Sequence, residues 1–281
     1  MLAHAGHTVA FSWTDWSGHP SILIGVFLLE GLYLLAVGPL RRYFQGSEEL
    51  GLRRVVSFTL GVWMIFFALH SPLDVLSDEF LFSAHMVQHL ILVLIVPPLL
   101  LIGTPGWLLR PLLRSSIVYG ALKLLTFPVV AALLFNLVFA IWHVPTLFDA
   151  GLDHLSIHIF QHLMFMAGGT LMWWPVLSPM RELPRLPYGG QILYLFVLSI
   201  PPAVVGAFIT FSGRVLYKTY AQSPGIWGIS PSADQQIGGV IMKLPGFLIL
   251  LAAAGIIFFT WAAKQEATDR AEAAERLKNA R

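Results

Sequence analysis

Ten histidines stand in a chain of 281 residues that holds no cysteine. Their spacing is where chemistry could reside. His85 and His89 are four residues apart, as are His154, His158 and His162. On helices each set shares one face. At ~1.5 Å of rise per residue the row of three spreads over ~12 Å. One ion cannot bind all three along a straight helix, but two neighbours could share one, or the row could form successive stations. Imidazole is the commonest metal ligand and suits zinc, copper, iron and nickel. Met86 adjoins His85, Met164 and Met166 follow His162, and Met242 opens the last apolar run. Thioether sulfur favours Cu(I), so a mixed His/Met environment without thiolate favours Cu(I) over Zn(II). For any one of these methionines core packing is the simpler reading. A lone buried histidine is ordinarily satisfied by hydrogen bonds, whereas five on two helical faces point to ligation.

The elements that must carry these side chains follow from composition. Hydrophobic residues make up 57% of the chain and charged residues 11%, with a net charge of +2. That is too little charge to cover a soluble fold and too little basicity to suggest nucleic acid. The missing cysteines exclude disulfides, thiolate metal sites and cysteine nucleophiles. Residues 1–20 lack a basic n-region, so no cleavable signal peptide is expected. Apolar runs at 21–39, 55–70, 80–103, 124–141, 157–177, 192–211 and 244–263 predict seven spans, each near the ~20 residues a bilayer requires. The expected fold is an all-α integral membrane protein with a seven-helix bundle at 21–263. A segment at 1–20 precedes it, and a charged tail at 264–281 follows.

Basic residues orient this bundle. With the N-terminus outside, fourteen of the seventeen Lys and Arg fall on the cytoplasmic side, among them Arg41, Arg53, Arg110, Arg185 and Arg270; Arg214, Lys218 and Lys243 fall outside. The expectation is therefore an extracytoplasmic N-terminus and a cytoplasmic C-terminus. All ten histidines then map to the outer side. His4, His7 and His19 precede the first span and could collect metal from outside. His70 ends the second span, His143 closes the fourth, and the two rows open the third and fifth. Counted from those outer ends, His85 and His158 sit ~8 Å deep, and His89 and His162 ~14 Å deep. If the third and fifth spans pack together, the four imidazoles meet in two layers. Pro97-Pro98 and Pro201-Pro202 predict kinks in the third and sixth spans. Glu30 is an intramembrane carboxylate and a functional candidate by default.

Four ordered segments resemble the CtaG family of assembly factors for caa-type cytochrome c oxidase, across roughly residues 80–246. The first is Ser83, His85, Met86, Gln88 and His89, leading to Pro97-Pro98 and Gly103, Thr104 and Pro105. The second is Trp142, His143 and Pro145 with Leu147, Phe148 and Asp149. The third is His158, Gln161 and His162 with Trp173, Trp174 and Pro175. The last is Asp234, Gln235, Gln236, Gly238 and Gly239 with Met242, Pro245 and Gly246. The resemblance implies a multi-pass protein of the bacterial cytoplasmic membrane that delivers copper to, or retains it for, the oxidase's copper centres. Its partners would be oxidase subunits and lipid, with homo-oligomerisation open, and its role would be that of a metal-binding assembly factor, not an enzyme. Carried onto this chain, the candidate metal ligands are His85, His89, His143, His158 and His162. His154, His70, Met86, Asp234 and Met242 are weaker candidates. Two other readings of the same histidines stand. One is a membrane-embedded zinc hydrolase, which would draw a carboxylate from Asp74, Asp78, Glu79, Asp149, Asp153 or Asp234. The other is a protein holding haem between two histidines.

Overall fold

The computed structural model describes residues 11–279; His4 and His7 lie outside the described residues. Among these the chain is helical, with no strand. Helices α1 (Pro20–Val37) and α2 (Leu52–His70) form an antiparallel pair, and α3 (Phe82–Gly103) follows. Next come α4 (Ser116–Leu125), α5 (Pro128–Trp142) and the short α6 (Pro145–Asp153). The chain closes with α7 (Leu155–Leu177), α8 (Tyr188–Thr210) and α9 (Pro231–Asn279).

Five of these, α1, α2, α3, α8 and α9, are long and apolar enough to cross a bilayer. The pair α4–α5 makes a sixth if counted as one span. The remaining expected span, the fifth in chain order, is α7. Its 23 residues suffice in length, but His158, Gln161 and His162 dilute its apolar content. The run expected as one span at 124–141 is instead broken, with α4 and α5 bent by 72°. The cause is Pro128, which disfavours helical geometry at the residue before it; Phe127 accordingly adopts φ −62°, ψ 128°.

Helix α3 is the axis of the bundle. Of its apolar window 56% is buried, against 11% for α1. It packs on α2, α7 and α9. A π-helical turn at Ile91–Ile95 interrupts it just before Pro97. Proline cannot donate to the carbonyl four residues back, and that carbonyl, Val93 O, accepts from the indole Nε1 of Trp173 at 3.2 Å. The sequence expectation of a kink at Pro97-Pro98 takes this form. Pro201 and Pro202 have a milder effect: Ser199 relaxes to φ −72°, ψ −17°, its hydroxyl donates to Phe196 O, and the helix continues.

Helix α9 starts at Pro231, well before the apolar run at 244, and continues through the charged tail for 49 residues. At 1.5 Å per residue it is about 73 Å long, more than twice the ~30 Å hydrocarbon core, so its ends project beyond any membrane. Ion pairs such as Arg270–Glu266 line the projecting tail. Near its start it approaches its neighbours closely. A Cβ on Gly238 would overlap the Phe82 ring, and one on Gly239 would overlap Thr210 and the Gly206 carbonyl. Small residues at such crossings let helices pack without a side chain between them.

Candidate metal centre

Asp234, near the start of α9, organises the start of α3. Its carboxylate accepts from the backbone N–H groups of Phe82 at 2.6 Å and Ser83 at 3.1 Å. These are orphan donors of the first helical turn, which an anion stabilises. One turn further, His85 and His89 project into the bundle towards α7.

The two helices do pack, and their histidines meet in layers. Ring centroids of His85 and His158 lie 5.6 Å apart and nearly parallel, at 13°. Those of His89 and His162 lie 5.5 Å apart. Along each helix the separation is 4.2 Å, for His85–His89 and for His158–His162. His143, at the C-terminal end of α5, joins the inner layer, 6.3 Å from His89. All five are buried, none exposed by more than 7%.

Within this group His85, His158 and His162 form the tightest set. Each offers a ring nitrogen, and the three atoms lie within 4.8 Å of one another. The Nε2 atoms of all five histidines are buried without a hydrogen-bond partner, and both ring nitrogens of His85 and His89 are so. A buried polar atom left unpaired costs ~1–3 kcal/mol, and such a concentration of bare nitrogens is a donor set that a cation could satisfy. The donor set, three imidazoles converging from two helices, fits zinc or copper.

A residue that sequence reasoning could not single out completes the set. Asp78 Oδ2 lies 3.4 Å from Nδ1 of His158, and Oδ1 lies 3.8 Å from Nδ1 of His85. A carboxylate behind the imidazole fixes the ring and raises its basicity as a ligand. Asp78 sits in a π-helical turn, Leu76–Phe80, where no regular period reveals which way a side chain points. Gln88 anchors this segment, donating from Nε2 to Ala68 O at 2.8 Å and to Asp74 Oδ1 at 2.7 Å. Burial, then the neighbouring Asp74 carboxylate, pushes Asp78 well above the ordinary carboxylate range. Burial also raises Asp74 to about 6, against the hydrogen bond from Gln88 that lowers it. Carboxylates held up in this way gain from a cation arriving beside them.

Two cavities flank the histidines. One of about 280 Å³ lies among α1, α2 and α7; His19, Asp74, Asp78, His158 and His162 contribute its polar wall. The other, about 50 Å³, touches His89 and His143. A lid covers the layers. The Tyr220 hydroxyl donates to Ser77 O at 2.6 Å, and that of Tyr217 to His143 O at 3.1 Å. Asp149 accepts from the backbone of Lys218 and Thr219, and Gln235 accepts from Leu216 N.

Several weaker candidates fall elsewhere. His154 precedes α7 in an extended conformation, φ −131°, ψ 110°, and is exposed, so it does not share the helical face of His158 and His162. His70 packs against Trp16 and Phe66, away from the layers. Asp234 has both oxygens committed to the α3 terminus. Met86 and Met242 are buried and line the smaller cavity. Met164 joins the apolar core, and Met166 lines the larger cavity. Glu30 is half-buried and accepts from the Thr59 hydroxyl at 2.6 Å.

The profile of the family described as cytochrome c oxidase caa3 assembly factor matches residues 31–264. Curated relatives are uncharacterised mycobacterial proteins. One from Mycobacterium bovis is 30% identical over 192 residues, covering 61% of this chain and 29% of the relative. One from Mycobacterium leprae is 26% identical over 260 residues, covering 84% and 37%. The chain thus spans about a third of the length of these relatives. No solved structure matches. With the family profile running from within α1 to within α9 and enclosing every histidine of both layers, the chain belongs to the caa3-type cytochrome c oxidase assembly factors.

Proposed function

We propose that this protein is a seven-span factor of the bacterial cytoplasmic membrane that takes up copper as Cu(I) on its outer side and passes it to cytochrome c oxidase. The observation that carries the reading is the set of ring nitrogens of His85, His158 and His162, within 4.8 Å of one another and buried. Two- or three-coordinate imidazole sites suit Cu(I), which asks for few ligands and no charge. The cavity bearing His19, Asp74 and Asp78 supplies the access route. The partly exposed Asp78 carboxylate and His19 imidazole collect the cation, and the buried nitrogens then hold it. Release is by ligand exchange to a docked apo-oxidase subunit, so no covalent bond is made or broken. The clustering of Arg41, Arg53, Arg54, Arg110, Arg181 and Arg185 away from the histidines supports an extracytoplasmic site under the positive-inside rule. On this reading α7 is the fifth of seven spans, tolerated in lipid because its polar residues face the bundle interior.

The test is Cu(I) competition titration of the detergent-purified chain with His85→Ala and His158→Ala together, paired with copper analysis of the oxidase from the same cells. Loss of the Cu(I) equivalent held by His85, His158 and His162, with a copper-poor oxidase, is expected. Normal oxidase copper in a double variant that still inserts would end the proposal. Zinc hydrolysis has one favouring observation, the Asp78 carboxylate beside two ligands. Asp78 contacts the Nδ1 edges, a position for orienting rings more than for activating water. Haem is disfavoured: neighbouring imidazoles, Phe148 and Phe165 fill the space between the rings.

A further inference from the structure

We propose that the histidine layers form two cation stations in series. The inner one, built from His89, His143, Met86 and Met242, is selective for a soft monovalent ion. This deepens the copper reading and rests on it. The outer set closes on itself: His85, His158 and His162 offer three nitrogens within 4.8 Å, and neither His89 nor His143 belongs to it. Yet His89 and His143 are buried, and Nε2 of each lacks a partner. His143 Nδ1 lies 2.6 Å from the Phe139 carbonyl. A carbonyl only accepts, so Nδ1 carries the proton and Nε2 bears a free lone pair. Both residues line the cavity of about 50 Å³, and so do Met86 and Met242, which are 1% and 5% exposed.

What could fill this space follows from its walls. A buried water requires two to four polar partners. Beyond the two imidazoles the walls are mainly Leu90, Val93, Phe135, Phe139 and Phe165, with Ser199 and Lys243 on the α8 and α9 sides. A soft cation, by contrast, would use both nitrogens and both sulfurs. No carboxylate lines the cavity. The cost of burying an ion in a neutral apolar site grows with the square of its charge, so a divalent ion is rejected far more strongly than a monovalent one. The exposed Lys243 ammonium adds to that rejection. The stations connect through His89, whose ring lies 4.2 Å from that of His85 and 5.5 Å from that of His162. A cation can therefore pass inward by exchanging one imidazole at a time.

The experiment is an anaerobic Cu(I) titration of the detergent-purified full chain against a chromophoric chelator, with copper K-edge absorption at each equivalent. The expected result is two equivalents, with nitrogen scattering alone at the first and a sulfur shell added at the second. Met86→Leu with Met242→Leu should bind one equivalent and lose the sulfur shell. His85→Ala with His158→Ala should keep one equivalent that retains sulfur. A single equivalent, or two without sulfur scattering, overturns the inner station and leaves the copper reading intact. No binding at all overturns both. The spectrum of the unaltered chain decides the matter even if the methionine variant does not fold.

Discussion

The two layers of histidine are a turn apart on the same helices, yet they stand in different surroundings. The outer layer has a carboxylate, Asp78, against its Nδ1 edges and a cavity of about 280 Å³ with polar groups on one wall. The inner layer has aromatic walls, two thioethers and a cavity of about 50 Å³. Imidazole is common to both, so on the copper reading the preference of each layer would be set by what lies behind and beside the rings. An accessible surround bearing carboxylates favours capture, and a mainly apolar one without carboxylates favours retention of a soft ion.

The largest expected effect comes from His158→Ala. It should remove outer-layer binding outright while leaving sulfur-containing coordination in place, read by copper absorption spectroscopy; loss of both together would merge the layers into one site. Asp234→Ala acts on both layers at once, because α3 carries one histidine of each pair. Leaving the Phe82 and Ser83 N–H groups unpaired in a buried setting should cost on the order of 3 kcal/mol. Thermal unfolding in detergent checks this, and an unchanged midpoint would remove Asp234 as the anchor of α3. Asp78→Asn sharpens the contrast, since it should weaken the first Cu(I) equivalent by about tenfold to a hundredfold and leave the second unaltered. Equal weakening of both would mean that the carboxylate acts on the whole assembly. The smallest effect belongs to Trp173→Phe. It orphans the Val93 carbonyl that Pro97 cannot serve and should cost about 1 kcal/mol, with neither copper equivalent lost; a disturbed second equivalent would tie the π-helical turn to the inner layer.

Much of this arrangement was legible in the residues alone. The i, i+4 spacing of His85 with His89 and of His158 with His162 gave the shared faces and their matching depths, because helical rise and period are properties of the backbone. The same logic misled at His154: one more step of four ran past the start of α7, and helix ends depend on capping and not on period. The run at 124–141 is divided for a similar reason, since hydropathy averages over Pro128 while the backbone bends by 72° before it. Asp234 read as a ligand candidate because it belongs to a motif with Met242; in the fold it holds a helix terminus 152 residues away in sequence.

By itself the sequence determined that the chain is apolar and helical, and that its histidines fall in rows. It determined the neighbourly terms, which are those a local backbone period can express. Only the tertiary structure decided that α3 packs on α7, that Asp78 among six acidic candidates reaches the rings, and that Met86 and Met242, far apart in the chain, face one small cavity with His89 and His143. Those are juxtapositions of segments distant along the chain, and they depend on how whole helices fit side by side, through glycines such as Gly238 and Gly239 and through the turn forced by Pro97.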